Sequence, residues 1–358
     1  MDKVLDYKCP CCGAAIAFDP RAQELKCASC GNTYSVELMS ELCDEANSDG
    51  KTTSDWGTYK CDGRASGTVT YSCRFCGAEI ECDVNTVATE CVYCGNPIVI
   101  SDAVSGMSSP DVILPFKLDR ESAKTALINY YNGKKLLPDE FKSENNIERI
   151  RGVYVPYWLY NCHSHANATY DATRVHSWHD SRYNYVRTDH FLVSRTGGAD
   201  FADIPVDASS KMPDNYMDAL EPFDFSGAVP FRDGYMAGYV ADRYDVDSLS
   251  GSSRAELRIE NTMNSLLRDT VHGYVSVVKR RGSVQNSNGT VRYAFLPVWI
   301  LNTRYKDKTY LFAMNGQTGK MVGELPVDKG KAAKFFAIAA AVSMAVINVI
   351  ALLALLVR

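Results

Sequence analysis

Four Cys-x-x-Cys pairs, each followed by glycine, set narrow limits on the structure of the first hundred residues. The pairs are Cys9/Cys12, Cys27/Cys30, Cys73/Cys76 and Cys91/Cys94. The segments CPCCGAAIAFDPRAQELKCASCGN and CRFCGAEIECDVNTVATECVYCGN align without a gap at an offset of 64 residues, from Cys9 to Cys73. Similarity of this kind at a fixed spacing indicates an internal duplication.

Each pair predicts a tight turn, in which glycine permits a positive backbone angle and lets backbone amides approach the sulfurs. Two such turns supply four thiolates, the ligands that Zn²⁺ prefers in closed structural sites at about 2.3 Å. A thioredoxin-like dithiol is the alternative, but it belongs at the start of a helix after a buried strand. We therefore predict two structural Zn²⁺ ions, one in ribbon 1 (1–42) and one in ribbon 2 (59–100), joined by a linker (43–58).

An apolar segment near the C-terminus predicts a membrane anchor. Residues 335–357 contain no charged side chain, and 23 residues in a helix are long enough to cross a bilayer. Three lysines precede the segment and one arginine follows it, which favours a cytoplasmic location for the preceding part of the chain. The N-terminus lacks a secretory signal pattern, and its cysteine pairs suit a reducing compartment. We expect a single-pass protein in contact with membrane lipid through 335–357.

The middle of the chain predicts a duplicated α+β domain. After a Ser/Gly/Pro-rich linker (101–111), Asp119 is expected to cap a helix that ends at Gly133, and a second helix is expected over 253–271. The motifs VPYWLYN at 155 and LPVWILN at 296 lie beyond these helices, and each is followed by a further predicted strand, ATYDATRV or KTYLFAMN. The predicted domain spans 112–328 and has halves of about 112–200 and 220–328. Trp158 and Trp299, within the motifs, are expected to lie in its core.

Possible chemistry outside the ribbons is limited to a histidine-rich segment. An additional metal site, beyond the two in the ribbons, is one interpretation of the side chains His163, His165, His176 and His179. A polar strand face followed by a solvated loop is the other. The segment GQTGK does not fit a nucleotide-binding loop, because Met314 and Met321 replace its first glycine and its hydroxyl residue. It predicts a hairpin turn instead. We expect no nucleotide and no enzymatic activity.

The cysteine modules resemble TFIIB-type zinc ribbons. The order of ribbon pair, linker, GYMAGYVADRYDVD at 234–247, LPVWILNTRYKDKTYLFAMNGQTGKMVG at 296–323 and a final apolar span resembles a family of bacterial TFIIB-type zinc-ribbon membrane proteins. This family is found in Firmicutes and is often labelled primosomal replication helicase. The resemblance implies a bacterial cell membrane and carries over only the ribbon cysteines. A helicase is excluded because the chain lacks a Walker lysine loop.

Charge favours a protein partner for the ribbons over nucleic acid. The chain has a formal net charge of −5, and residues 1–100 contain eight Lys or Arg against fifteen Asp or Glu. An acidic module repels phosphate instead of releasing counterions from it. The leading hypothesis is a non-enzymatic adaptor at the cytoplasmic face of the membrane. The alternatives are a membrane-tethered nucleic-acid binder, using Phe75 and Tyr93, and a metal-dependent enzyme built on His163–His190.

Overall fold

The computed structural model of the protein describes residues 4, 5, 9, 12, 14–37, 39, 68–72, 79–83, 85–91, 97–100, 109–306 and 308–356. More of these residues lie in β-strands than in helices. The predicted linker 43–58 and most of the predicted linker 101–111 lie outside the described residues. The ribbon boundaries therefore stay predictions.

The longest strands of the described part lie in the middle of the chain. The strands are β1 (Val4–Leu5), β2 (Ile16–Asp19), β3 (Glu24–Cys27), β4 (Thr33–Tyr34), β5 (Thr68–Ser72), β6 (Glu79–Asp83), β7 (Thr86–Glu90), β8 (Pro97–Ile100), β9 (Val112–Ile113), β10 (Arg151–His179), β11 (Asn184–Asp207), β12 (Val229–Pro230), β13 (Val240–Asp242), β14 (Ser276–Tyr305), β15 (Lys308–Asn315) and β16 (Met321–Gly323). The helices are α1 (Arg120–Tyr131), α2 (Glu144–Ile147), α3 (Asp214–Leu220), α4 (Ser248–Asp269) and α5 (Lys329–Leu356), with 3-10 turns at Asp139–Lys142, Phe225–Gly227 and Asp233–Met236.

These strands form three sheets within the described part of the chain. The largest has eleven strands, in the order β1-β8-β7-β13-β10-β14-β15-β16, with β11 paired to β10, β9 to β14 and β12 to β9. The strands β2, β3 and β4 form a second sheet, and β5 with β6 forms a third. Two strands of ribbon 2, β7 and β8, thus belong to the large sheet.

The prediction of a duplicated α+β domain is wrong. The strand β10 runs without interruption for 29 residues and includes both VPYWLYN and ATYDATRV, which were predicted to lie in separate strands. In the second predicted half, by contrast, β14 ends at Tyr305 and the chain turns back into β15, which pairs with it from Val298↔Asn315 to Tyr305↔Lys308. The two motifs are similar locally, but the chain beyond each of them takes a different path.

The chain divides into two compact units, neither of which is continuous in sequence. One unit comprises Met1–Pro115, Tyr154–Asp214 and Asp224–Leu296, and the other comprises Phe116–Val153, Asn215–Phe223 and Pro297–Arg358. Each unit draws segments from both predicted halves. The break between units falls inside β10 and β14, where no composition signal marks a boundary.

The predicted helices are present, with one corrected start. The Asp119 side chain accepts a hydrogen bond from the Ser122 amide at 3.0 Å at the start of α1, and Gly133 beyond its end has φ of +77°. The helix α4 begins earlier than predicted because Asp247 is its cap and accepts from the Ser250 amide at 2.7 Å. Serine and aspartate are both good capping residues, so the sequence alone left this choice open.

In the first unit, α4 covers one face of the β10–β11 hairpin. Side chains of β10 are buried at every second position from Cys162 to Ala172, as expected for a strand with one covered face. They pack against one side of α4, formed by Ile259, Met263 and Leu267. Trp158 is fully buried nearby, and its Nε1 donates to the Val246 carbonyl at 3.0 Å, which confirms its predicted core position.

In the second unit, aromatic rings form the core. The rings of Tyr131, Phe141 and Phe312 contact one another edge to face, with centroids 5.6–6.4 Å apart. Trp299 is also buried, against Phe116 at 5.1 Å, as predicted. The segment GQTGK connects β15 to β16 as a turn, which confirms the hairpin interpretation.

The last helix, α5, has the length and composition of a membrane span. Its stretch Lys329–Asn348 is apolar enough to cross a bilayer, and none of it is buried inside the protein. The whole helix has 28 residues and a length of about 42 Å at 1.5 Å per residue. Large side chains such as Phe336 and Ile347 are exposed along it, so water is a poor environment for this helix.

Candidate metal centre

Four cysteines converge in ribbon 1. The sulfur atoms of Cys9, Cys12, Cys27 and Cys30 all lie within 4.8 Å of one another. The Cys9 and Cys30 sulfurs are 3.5 Å apart, and those of Cys12 and Cys27 are 3.6 Å apart. Four sulfurs bound tetrahedrally at 2.3 Å would be about 3.8 Å apart, so the cluster has the size that Zn²⁺ requires.

Local backbone structure brings these cysteines together. The antiparallel pair β2–β3 places Ile16 opposite Cys27 and starts the second Cys-x-x-Cys turn at the end of β3. The turn closes through the Gly31 amide, which donates to the Cys27 carbonyl at 3.0 Å, and Gly31 has φ of +76°. The positive backbone angle predicted for the glycine after the pair is therefore present at Gly31.

The electrostatic environment of the thiols depends on nearby amides and on the thiols themselves. The pKa of Cys27 lies below its ordinary value, chiefly because the Cys30 backbone N–H stabilises the thiolate. The Asn32 amide acts in the same direction on Cys30, but the neighbouring Cys9 thiol, partial desolvation within the cluster and the other two thiols raise the pKa of Cys30 to about 12. A bound cation would offset this mutual repulsion of thiolates and release protons on binding.

The four positions differ in exposure. Cys9 and Cys27 are buried, whereas Cys12 and Cys30 are exposed. The Tyr34 hydroxyl lies 3.3 Å from the Cys9 sulfur and adds a polar contact on the buried side. With four protein ligands, a tetrahedral ion would have no open position, which is the arrangement of structural metal sites.

One strand pairing of ribbon 1 recurs among the described strands of ribbon 2, whereas the β2–β3 pairing does not, because β6 pairs with β5. In ribbon 1, β3 and β4 pair through Leu25↔Tyr34 and Lys26↔Thr33. In ribbon 2, β7 and β8 pair through Thr89↔Ile98 and Glu90↔Pro97. The register is thus conserved at the same offset of 64 residues that aligns the two sequences. Cys91, the counterpart of Cys27, is buried as well, while Cys73, Cys76 and Cys94 lie outside the described residues.

The segment 234–247 holds both ribbons in the first unit, a role that sequence reasoning missed. The Phe18 amide of ribbon 1 donates to the Ala237 carbonyl at 3.0 Å, and the Phe18 ring packs on Tyr235 with centroids 5.2 Å apart. A few residues on, β13 pairs with β7 through Ala241↔Ala88. Small residues and short strands give little periodic signal, and only the resemblance drew attention to this segment.

The candidate histidines do not form one cluster. The Nδ1 atom of His163 is 2.7 Å from an Asp200 carboxylate oxygen, and His165 shares the same exposed strand face. His176 lies thirteen positions further along β10, about 43 Å at 3.3 Å per residue. His176 and His179 point to opposite faces of the strand, and the hairpin turn comes after both of them. Within the described ranges, the ribbon 1 cysteines are the group of three or more potential ligands that converges.

The chain is similar to a bacterial protein, the uncharacterized protein YdjG of Bacillus subtilis (strain 168). The two sequences are 33% identical over 334 residues, which cover 93% of this chain and 93% of the relative. No protein-family model matches the chain, and no solved structure matches it. Identity at this level over nearly the full length of both chains shows common descent, and the protein therefore belongs to the family of B. subtilis YdjG.

Proposed function

We propose that the protein is a membrane-anchored adaptor that uses two zinc ribbons of the TFIIB type to hold a protein partner at the cytoplasmic face of the bacterial cell membrane. Zn²⁺ would be held by Cys9, Cys12, Cys27 and Cys30 in ribbon 1, and by the corresponding cysteines Cys73, Cys76, Cys91 and Cys94 in ribbon 2. The metal would supply rigidity to each ribbon and no catalysis.

The closed four-cysteine cluster is the observation that carries this proposal. A catalytic zinc site keeps one position open for water or substrate, whereas four thiolates fill the tetrahedron. The β3–β4 register that recurs in β7–β8, together with the buried Cys91, extends the argument to ribbon 2. The turn 28–33 beside the cluster is exposed throughout, so a rigid loop is available to a partner.

Two further features support an adaptor at a membrane. The apolar helix α5 supplies an anchor, and the lysines before it favour a cytoplasmic ribbon region. The acidic balance of residues 1–100 disfavours phosphate-rich ligands, which leaves a protein as the partner class that the ribbons suit best.

The test is a pull-down of the full-length protein from detergent extracts, with three variants. Cys27→Ser removes a metal ligand, and Ser29→Arg changes the exposed turn while leaving all four ligands in place. Cys82→Ser is the matched control, because Cys82 is a partly buried cysteine outside the pairs. A partner that is lost with the first two variants and kept with Cys82→Ser supports the proposal. Identical partners for all four proteins would remove the proposed role of ribbon 1.

A further inference from the structure

The far end of the β10–β11 hairpin exposes large apolar side chains. We call residues 175–192 the hairpin tip. Trp178, Tyr183, Val186 and Leu192 are each more than half exposed, at 52%, 65%, 68% and 61%. Tip residues pair across the hairpin in continuous register from Val175↔Thr188 to His179↔Asn184. The exposed side chains therefore belong to an ordered β-structure.

The covering helix ends before the hairpin does. Buried positions such as Tyr170 and Ala172 pack beneath α4, which ends at Asp269. Further along the same face, Trp178 lies opposite Tyr185, and their rings stack 5.4 Å apart at an angle of 11°. The face that forms core beneath α4 thus carries an exposed aromatic pair further along, beyond Arg174 and His176.

The other face of the tip also exposes apolar side chains, among polar ones such as Ser177 and Thr188. Val175 and Val186 lie on the face that α4 does not cover, and both are exposed. A globular partner that packs on one face would leave the other in water. The headgroup region of a bilayer surrounds a narrow hairpin on both sides, which fits a tip that exposes apolar side chains among polar ones on both faces.

Positive charge accompanies the aromatic residues. The ranges 171–195 and 279–281 contain seven Lys or Arg side chains against three Asp, in a chain with a net charge of −5. The Arg280 guanidinium lies 3.6 Å from Asp171, which places the start of β14 beside this part of the hairpin. The Arg174 guanidinium lies 5.4 Å from the centres of the Phe191 and Tyr274 rings. Basic side chains below an apolar tip complement anionic lipid headgroups.

The turn at the end of the tip is held by Asp180. Its carboxylate accepts hydrogen bonds from the Arg182 and Tyr183 amides at 2.8 Å each, and from the Tyr185 hydroxyl at 2.9 Å. A charged carboxylate and an unpaired strand edge oppose entry into hydrocarbon. Trp and Tyr, with apolar rings and polar groups, suit the headgroup level instead.

We propose that the hairpin tip is a second membrane contact, which binds the headgroup region of an anionic phospholipid bilayer through Trp178, Tyr185 and the basic side chains behind them. This inference rests on the proposed membrane anchoring by α5, since that anchor keeps the chain at a bilayer. It adds a lipid-composition preference that an apolar span alone does not provide.

The test uses the full-length protein reconstituted in vesicles of phosphatidylcholine, with and without phosphatidylglycerol and with brominated or ordinary acyl chains. The fluorescence of Trp178 is obtained by subtracting the emission spectrum of Trp178→Phe, a substitution at an exposed position, from that of the wild type. We expect it to shift to shorter wavelength and to be quenched by brominated lipid in anionic vesicles, and less in neutral ones. The triple change of Lys279, Arg280 and Arg281 to Ser should weaken the quenching. Trp178 emission that is equal in brominated and ordinary anionic vesicles would overturn the proposal.

Flotation of the same vesicles at high salt reports the α5 anchor independently. Protein that floats while Trp178 is not quenched would overturn the tip contact alone, and protein that fails to float would overturn the anchoring. A single-stranded oligonucleotide that quenches Trp178 at low salt, where anionic lipid does not, would assign the tip to nucleic acid and overturn the lipid proposal. Tyr185→Ser provides a second variant, which should reduce lipid quenching of Trp178 without affecting flotation.

Discussion

Gly238→Ala is expected to release ribbon 1 from residues 235–238 without changing its metal site. Gly238 has φ of +88°, and a Cβ added there would lie 3.0 Å from the Ala17 Cβ in β2. The backbone conformation costs a non-glycine residue about 1–2 kcal/mol. The close contact in a packed site adds about 1–3 kcal/mol. A total of about 2–5 kcal/mol raises the released population roughly 30-fold to several thousand-fold, at 1.36 kcal/mol per factor of ten.

Hydrogen exchange at the Phe18 amide measures this release. That amide donates to the Ala237 carbonyl at 3.0 Å, so it exchanges only when ribbon 1 leaves the segment. Its exchange should accelerate in Gly238→Ala by the factor above, while the zinc content stays unchanged. Adding Ala17→Gly removes the close contact between the two side chains. The double variant should recover the stability lost through that contact, but not the stability lost through the backbone conformation of residue 238.

Two results would refute this reasoning. Unchanged exchange of the Phe18 amide in Gly238→Ala would mean that the segment does not hold the ribbon. A double variant that behaves like Gly238→Ala alone would mean that the contact with Ala17 contributes nothing. Loss of zinc in Gly238→Ala would show that attachment and metal binding are not separable.

Three further predictions concern the metal, the helix α4 and the hairpin turn. Elemental analysis should find two zinc ions per chain in the wild type and in Cys82→Ser but one in Cys27→Ser, and two ions in Cys27→Ser would contradict the assignment of ribbon 1. Gly251→Ala should lower the free energy of unfolding by about 1–2 kcal/mol in chemical denaturation. The added Cβ would lie 2.8 Å from the Tyr160 hydroxyl, and the cost of this overpacking outweighs the gain in helix propensity. The control is Ser253→Ala at an exposed position of the same helix, which should not be destabilising. The pKa of Asp180 lies below its ordinary value of 3.8 because the backbone amides of the turn stabilise its carboxylate. The hydrogen-bonded turn is therefore fully stabilised above pH 3.8, and it loosens as the pH falls below that value. Hydrogen exchange of the Arg182 and Tyr183 amides can follow this loosening.

Features that depend on near neighbours in sequence were predicted correctly. The capping of α1 by Asp119, the glycine turn after Cys30 and the turn at GQTGK each depend on a few consecutive residues. The core positions of Trp158 and Trp299 followed from apolar neighbours in the same motifs. In each case the interactions that form the feature lie within a short stretch of chain.

The error in the fold class has a physical cause in the long strands. Beyond Asn161, β10 continues through a polar stretch that looks like a loop by composition, because its exposed face carries His163 and His165. The strand persists because every second residue is buried by α4, which lies some ninety positions later in the chain. The sequence shows which residues alternate along the strand, but it does not show which element covers one of its faces.

The spacing of the cysteines by itself determined that two pairs of thiols could meet in ribbon 1, because each four-residue turn sets the distance between its own two sulfurs. The apolar composition of 335–357 likewise determined that the last helix is suited to a bilayer. Only the tertiary structure decided that ribbon 2 adds strands to the large sheet, and that ribbon 1 attaches to 234–247. Those arrangements depend on backbone hydrogen bonds between segments more than a hundred residues apart, and backbone groups are the same for almost every residue type.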